Sequence, residues 1–129
     1  MFRSASALLL AALACNAGAE WVMVRDNDEY SAYADPVTIA REGDSVRMRD
    51  LVDLKYPRPS PYGNPHSSST AHSEFDCQNP RVRTLAFALH SGQMGGGDLV
   101  ETAAQADRWL AIEPGTLLDD LWRFACGST

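Results

Sequence analysis

A chain of 129 residues, 45% of them hydrophobic, suffices for one domain around one core and no more. Its 17 acidic residues outnumber 11 basic ones, and the net charge of −6 repels the phosphates of nucleic acids and anionic lipids, which excludes both as partners. No apolar run reaches the roughly 20 residues that a membrane-crossing helix needs.

Residues 1–19 have the three parts of a secretory signal: Arg3 as the positive start, the uncharged run 5–14, and Ala17-Gly18-Ala19 as a small-x-small cleavage site before Glu20. No acidic residue precedes Glu20. Cys15 is a weaker candidate for a lipid anchor, because Ala12-Leu13-Ala14 puts the leucine one place too late for lipoprotein processing. The expectation is a cleaved signal at 1–19 and one exported domain at 20–129, in the periplasm or at the cell surface. In such a compartment the remaining pair, Cys77 and Cys126, reads as a disulfide.

Residues 20–26 form a short strand and 29–35 its return, ended by Pro36. Gly43 centres the next turn. From Val46 to Tyr56 the even positions are Val46, Met48, Asp50, Val52, Leu54 and Tyr56, and the odd ones are charged except for Leu51. That period of two predicts a long antiparallel strand with one wet face and a bend near Arg49-Asp50. Residues 57–70 contain Pro57, Pro59, Pro61 and Pro65 and read as an exposed loop rather than a strand. Tyr56, Tyr62 and His66 make this loop the candidate ligand-contact element.

Strands follow at 71–77 and 81–91, a glycine turn at 92–97, and a weaker strand at 98–103. In 114–127 the period changes: Leu117, Leu118, Leu121, Trp122 and Ala125 fall on one helical stripe, Thr116 is the N-cap with Asp119 as its box partner, and Gly127 stops the helix. The whole predicts an α+β domain: an antiparallel sheet of about five to six strands, one C-terminal α-helix on one face, and one disulfide.

The ordered set Trp21, "YADPVTIAREGDSVRMRDLVDL" (33–54), "SEFDC" (73–77), Arg83, "SGQMGGG" (91–97), Trp109 and "EPGTLLDDLWRFACG" (113–127) resembles the surface-adhesin protein E family of Gram-negative envelope proteins. The resemblance implies a compact antiparallel sheet with a C-terminal helix, a disulfide mapping onto Cys77 and Cys126, and binding to a protein or cell-surface ligand. A periplasmic interaction protein, pairing with a second copy through a sheet edge, is the alternative.

Catalytic and metal chemistry finds little footing. His66, His72 and His90 lack ligand spacing and read as surface histidines. Serines 67–69 lack the context of an activated nucleophile, and Gly95-Gly96-Gly97 lacks the lysine and helix of a phosphate cradle. The expectation is a non-enzyme without cofactor. Trp21, Trp109 and Trp122 read as core aromatics, and Arg47, Arg49, Arg81 and Arg83 as cross-strand partners of Asp53 or Glu74.

Overall fold

The computed structural model describes residues 20–61 and 63–127. The signal segment with Cys15, and the candidate contact residue Tyr62, lie outside the described residues. The elements are β1 (Val22–Asp26), β2 (Tyr30–Glu42), β3 (Ser45–Ser60), β4 (Gly63–Asp76), β5 (Arg81–His90), β6 (Leu99–Ala103), β7 (Leu110–Ala111) and α1 (Leu117–Gly127). Strands β1 to β6 pair in sequence order as an antiparallel meander, and β7 pairs with the start of β5.

The alternation of β3 organises the core. Val46, Met48 and Leu54 are buried, whereas Arg47, Arg49 and Lys55 are exposed. Val46 and Met48 join Ala34, Phe75, Val82 and Ile112 in a cluster against Leu121 and Ala125 of α1. The helix therefore covers one face of the sheet, as its apolar stripe requires.

Both helix ends are tied down. Thr116 Oγ1 accepts the Asp119 N–H at 3.3 Å, and the Asp119 carboxylate accepts the Gly115 N–H at 3.0 Å, a box displaced by one residue. That second bond is the main reason why the Asp119 carboxyl sits below the usual carboxylate range. Arg25 of β1 bonds Asp120 at 2.6 Å and the Gly115 carbonyl at 2.9 Å. At the other end Trp122 Nε1 donates to the Asp76 carbonyl at 2.7 Å, and Cys126 is bonded to Cys77.

Two expectations need correction. Residues 57–70 are not a loop: β3 runs through Pro57 and Pro59, and β4 begins at Gly63 and contains Pro65. Proline is barred only where its missing N–H faces a neighbouring strand. Here β2 stops pairing at Tyr30, opposite Leu54, and β5 stops at His90, opposite Ser68. Beyond those positions the hairpin is two-stranded, and the paired residues Arg58 with His66 and Ser60 with Gly63 alternate with Pro57 and Pro59. The prolines thus occupy positions with an open outer edge.

Nor does Pro36 end β2. The pairing steps from Asp35 opposite Arg49 to Ala40 opposite Arg47, so that residues 36–39 bulge out and the strand continues to Glu42. The irregularity expected near Arg49-Asp50 of β3 lies at that level, with the extra residues on the neighbouring strand.

Candidate binding surfaces

Lys55 N–H donates to the Glu29 carbonyl at 2.8 Å, the last backbone bond between the β1–β2 turn and β3. Past it the β3–β4 hairpin continues as an arm whose residues 55–59 and 63–65 are all exposed, with Gly63 lying beside Val100 of β6. The ladder is irregular here, with register shifts between Asp53 and Arg58 and again between Arg58 and Ser60. His66 stands opposite Arg58, and its Nδ1 lies 2.9 Å from Ser60 Oγ across the hairpin. Tyr56 is 76% exposed, the largest value among the exposed large hydrophobic residues, so a bulky ring stands in solvent on the strand pair. The structure thus places Tyr56 and His66 on a strand pair, where the sequence pointed to a loop.

The glycine segment folds back over the sheet face opposite α1. Ser68, fully buried, donates to the Gly92 carbonyl at 2.6 Å and accepts the Gly95 N–H at 2.9 Å. Asp53 accepts the Met94 N–H at 2.7 Å. The segment lies on Leu51, the one apolar residue on the charged side of β3, and explains its burial. Gly97 has φ of 72°, and a Cβ there would collide with Ser91 Oγ, so glycine is required on both counts.

The rest of that face is ionic. Glu74, 5% exposed, receives Arg83 at 2.7 Å and Arg47 at 3.4 Å, while Arg81 pairs with Asp76 at 2.8 Å. The Arg81 bond, with two backbone N–H donors, holds the Asp76 carboxyl below its usual range. Cross-strand pairing with Glu74 is as read from the sequence; Asp53 instead holds the glycine segment. Trp122 belongs to the core margin, but Trp21 and Trp109 do not. Trp109 lies 4.5 Å from the Arg81 guanidinium and 4.8 Å from that of Arg83, and Trp21 lies 5.6 Å from that of Arg49. These rings cover cations rather than filling the interior.

His72 and His90 belong to this face as well. Burial, reinforced by the positive charge of Arg49, pushes both imidazoles below the usual histidine range. His90 Nε2 lies 2.9 Å from Thr70 Oγ1. His66 and His72 sit on the same strand. Among the described residues no three His, Cys, Asp or Glu side chains converge as a metal site needs. A cleft of about 380 Å³ lies between the β2–β3 and β4–β5 turns, lined by Glu42, Asp44, Gln78, Asn79 and Trp109 among others.

The domain is a disulfide-strapped antiparallel meander with one helix, a two-stranded arm and an open ionic face. The chain belongs to the surface-adhesin protein E family, whose family model matches residues 21–127. Its fold is similar to that of Haemophilus influenzae protein E. Crystal form II of that protein superposes with a TM-score of 0.60 at 16% identity, over 81% of this chain and 91% of that chain. Protein E from non-typeable Haemophilus influenzae gives 0.54 at 19% identity, over 81% of this chain and 75% of that one. At these identities the likeness is one of fold. No curated protein sequence matches the chain.

Proposed function

We propose that this chain is an exported binding domain that attaches to a protein or cell-surface ligand through the β3–β4 arm and performs no catalysis. The observation that carries the reading is the arm itself. It outruns both neighbouring strands, carries the exposed Tyr56 and the Ser60–His66 contact, and contributes nothing to the core cluster. A strand pair with two open edges can accept a further strand from a ligand, and an exposed tyrosine supplies contact area at low entropic cost. Membership of a surface-adhesin family supports the same assignment. Export rests on the signal at 1–19, with cleavage before Glu20.

The alternative, a periplasmic protein that pairs with a second copy, has its own support. Among the described residues the outer edge of β1 has no neighbouring strand, and Val22 and Met23 on it are 39% and 51% exposed.

Replacing residues 57–65 by an Asn-Gly turn separates the two. The exposed Arg58–Glu29 ion pair at 3.6 Å is the main side-chain tie lost, so the thermal midpoint should stay within about 4 °C of wild type. Cells carrying the trimmed chain should bind an immobilised extracellular-matrix preparation at least about tenfold more weakly. Undiminished binding would remove the arm from consideration. Protease protection of the chain on intact cells, with dimers in solution, would favour the periplasmic reading.

A further inference from the structure

The face opposite α1 carries two lids. The glycine segment covers Leu51 and the side of Thr70, and Trp109 covers Arg81 and Arg83. Between them a groove of about 160 Å³ stays open, lined by Arg49, Thr70, His72, Ala86 and Ala88 among others. These residues form two adjacent rows across β3, β4 and β5, with Arg49 opposite His72 opposite Ala86, and Leu51 opposite Thr70 opposite Ala88.

Arg49 stands apart from the other cations of this face. Arg47, Arg81 and Arg83 each have a carboxylate, whereas Arg49 has none within ion-pair distance among the described residues. Its register neighbour Asp35 is buried, and Asp35 Oδ1 is committed to the N–H groups of Val37 at 3.1 Å and Glu20 at 3.3 Å. The Arg49 backbone is fixed as well, its N–H donating to Thr38 Oγ1 in the β2 bulge at 2.9 Å. With Trp21 beside its guanidinium, Arg49 is a placed cation awaiting an anion.

The groove floor sets the size of the visitor. Ala86 and Ala88 leave no side chain beyond Cβ, so that an apolar group can rest against β5 beside the guanidinium. An arginine held against Trp21 beside an alanine floor suits an interface centre, where planar side chains and excluded water concentrate binding energy. The charge count chooses the partner. One uncommitted guanidinium suits a carboxylate held bidentately. A sulfated polysaccharide requires a run of free cations, whereas Arg47 and Arg83 are already spent on Glu74.

We propose that this groove is a docking site for a protein segment that places one Asp or Glu carboxylate on Arg49 and a small apolar side chain on Ala86 and Ala88. The inference rests on the reading that the domain binds protein, but it is independent of the arm.

The test is an NMR titration of the full exported chain with the peptide acetyl-Ala-Val-Glu-Val-Ala-amide, its glutamine counterpart, and a heparin-derived hexasaccharide. The glutamate peptide should shift the amide signals of His72, Ala86 and Ala88. The glutamine peptide, and the glutamate peptide on Arg49→Gln, should each bind about tenfold more weakly. Arg49→Lys should recover part of the loss, because a point charge replaces a bidentate fork. The arm-trimmed chain should bind the peptide as wild type does, so failure of the arm and failure of the groove are read separately. Equal binding of the two peptides, unchanged binding to Arg49→Gln, tighter binding of the hexasaccharide, or no signal shift up to about 10 mM peptide would each overturn the assignment.

Discussion

Asp50 is a carboxylate on the wrong side of its strand. It lies on the apolar, helix-facing side of β3, flanked in register by Ala34 and Ala71, with only 8% of its surface exposed. No ion-pair partner reaches it among the described residues. Burial pushes its carboxyl up to about 7, and the charge of Arg49 offsets only part of that rise. The folded pKa is therefore raised above the unfolded value of 3.8. As pH climbs from about 4 to 7 the unfolded chain sheds this proton first, and the folded state loses about 1.4 kcal/mol per pH unit. The full loss is about 4 kcal/mol, complete above pH 7, which is a sizeable part of a typical domain's stability. Asp50→Asn removes the titration while keeping the shape. Urea unfolding of both proteins at pH 5, 6, 7 and 8 should show the stability gap shifting in favour of asparagine by about 2–3 kcal/mol between pH 5 and 7. His72 and His90, held below the usual histidine range, contribute with the opposite sign, since their stabilisation grows as pH rises through that range. They are present in both proteins and cancel in the difference. Asp26, Asp76 and Asp119 are shifted down and act only at lower pH. A gap that stays constant with pH would refute the argument.

Three further outcomes are expected. Cys77 and Cys126 are 49 positions apart, and replacing both by serine should cost about 4 kcal/mol in the loop-entropy account, read as a lower urea midpoint. Unchanged stability would mean that the cross-link does not restrict the unfolded chain. Ser68→Ala leaves the Gly95 N–H and the Gly92 carbonyl without their partner and should cost about 1–3 kcal/mol, with faster amide exchange confined to 92–97. Exchange rising evenly across the sheet would contradict the local anchor. Intact-mass analysis of the exported chain should find Glu20 as its N-terminus. The new ammonium would then lie at Asp35 Oδ1, 3.3 Å from the Glu20 nitrogen, and acetylating it should cost about 1–3 kcal/mol in wild type but little in Asp35→Asn. A diacylated Cys15 would exclude this pairing.

The residues alone determined the α+β class, the single helix with its Thr116 cap, the apolar parity of β3 and cross-strand ion pairing of its arginines, with Glu74 or Asp53 left open as acceptor. Each depends on a local period, on a short-range bond or on the simplest neighbour relation. The parity even placed Asp50 on the apolar side, the signal from which its burial follows. Arg49 carried a weaker signal. Its parity marked an exposed face, but its lack of a partner depends on Asp35 being turned to the β2 bulge. The tertiary structure decided the rest. Four prolines read as a loop because a proline cannot donate into a ladder. Whether that matters at 57–65 depends on where β2 and β5 stop, and those are positions more than 20 residues away in the chain. Leu51, out of phase with its neighbours, is buried only because the glycine segment returns to cover it. Trp21 and Trp109 have the hydrophobicity of core residues, yet they lie on arginines because the helix fills the other face. Period and composition act along the chain. Edges, lids and unpaired charges arise only when distant strands have taken their places.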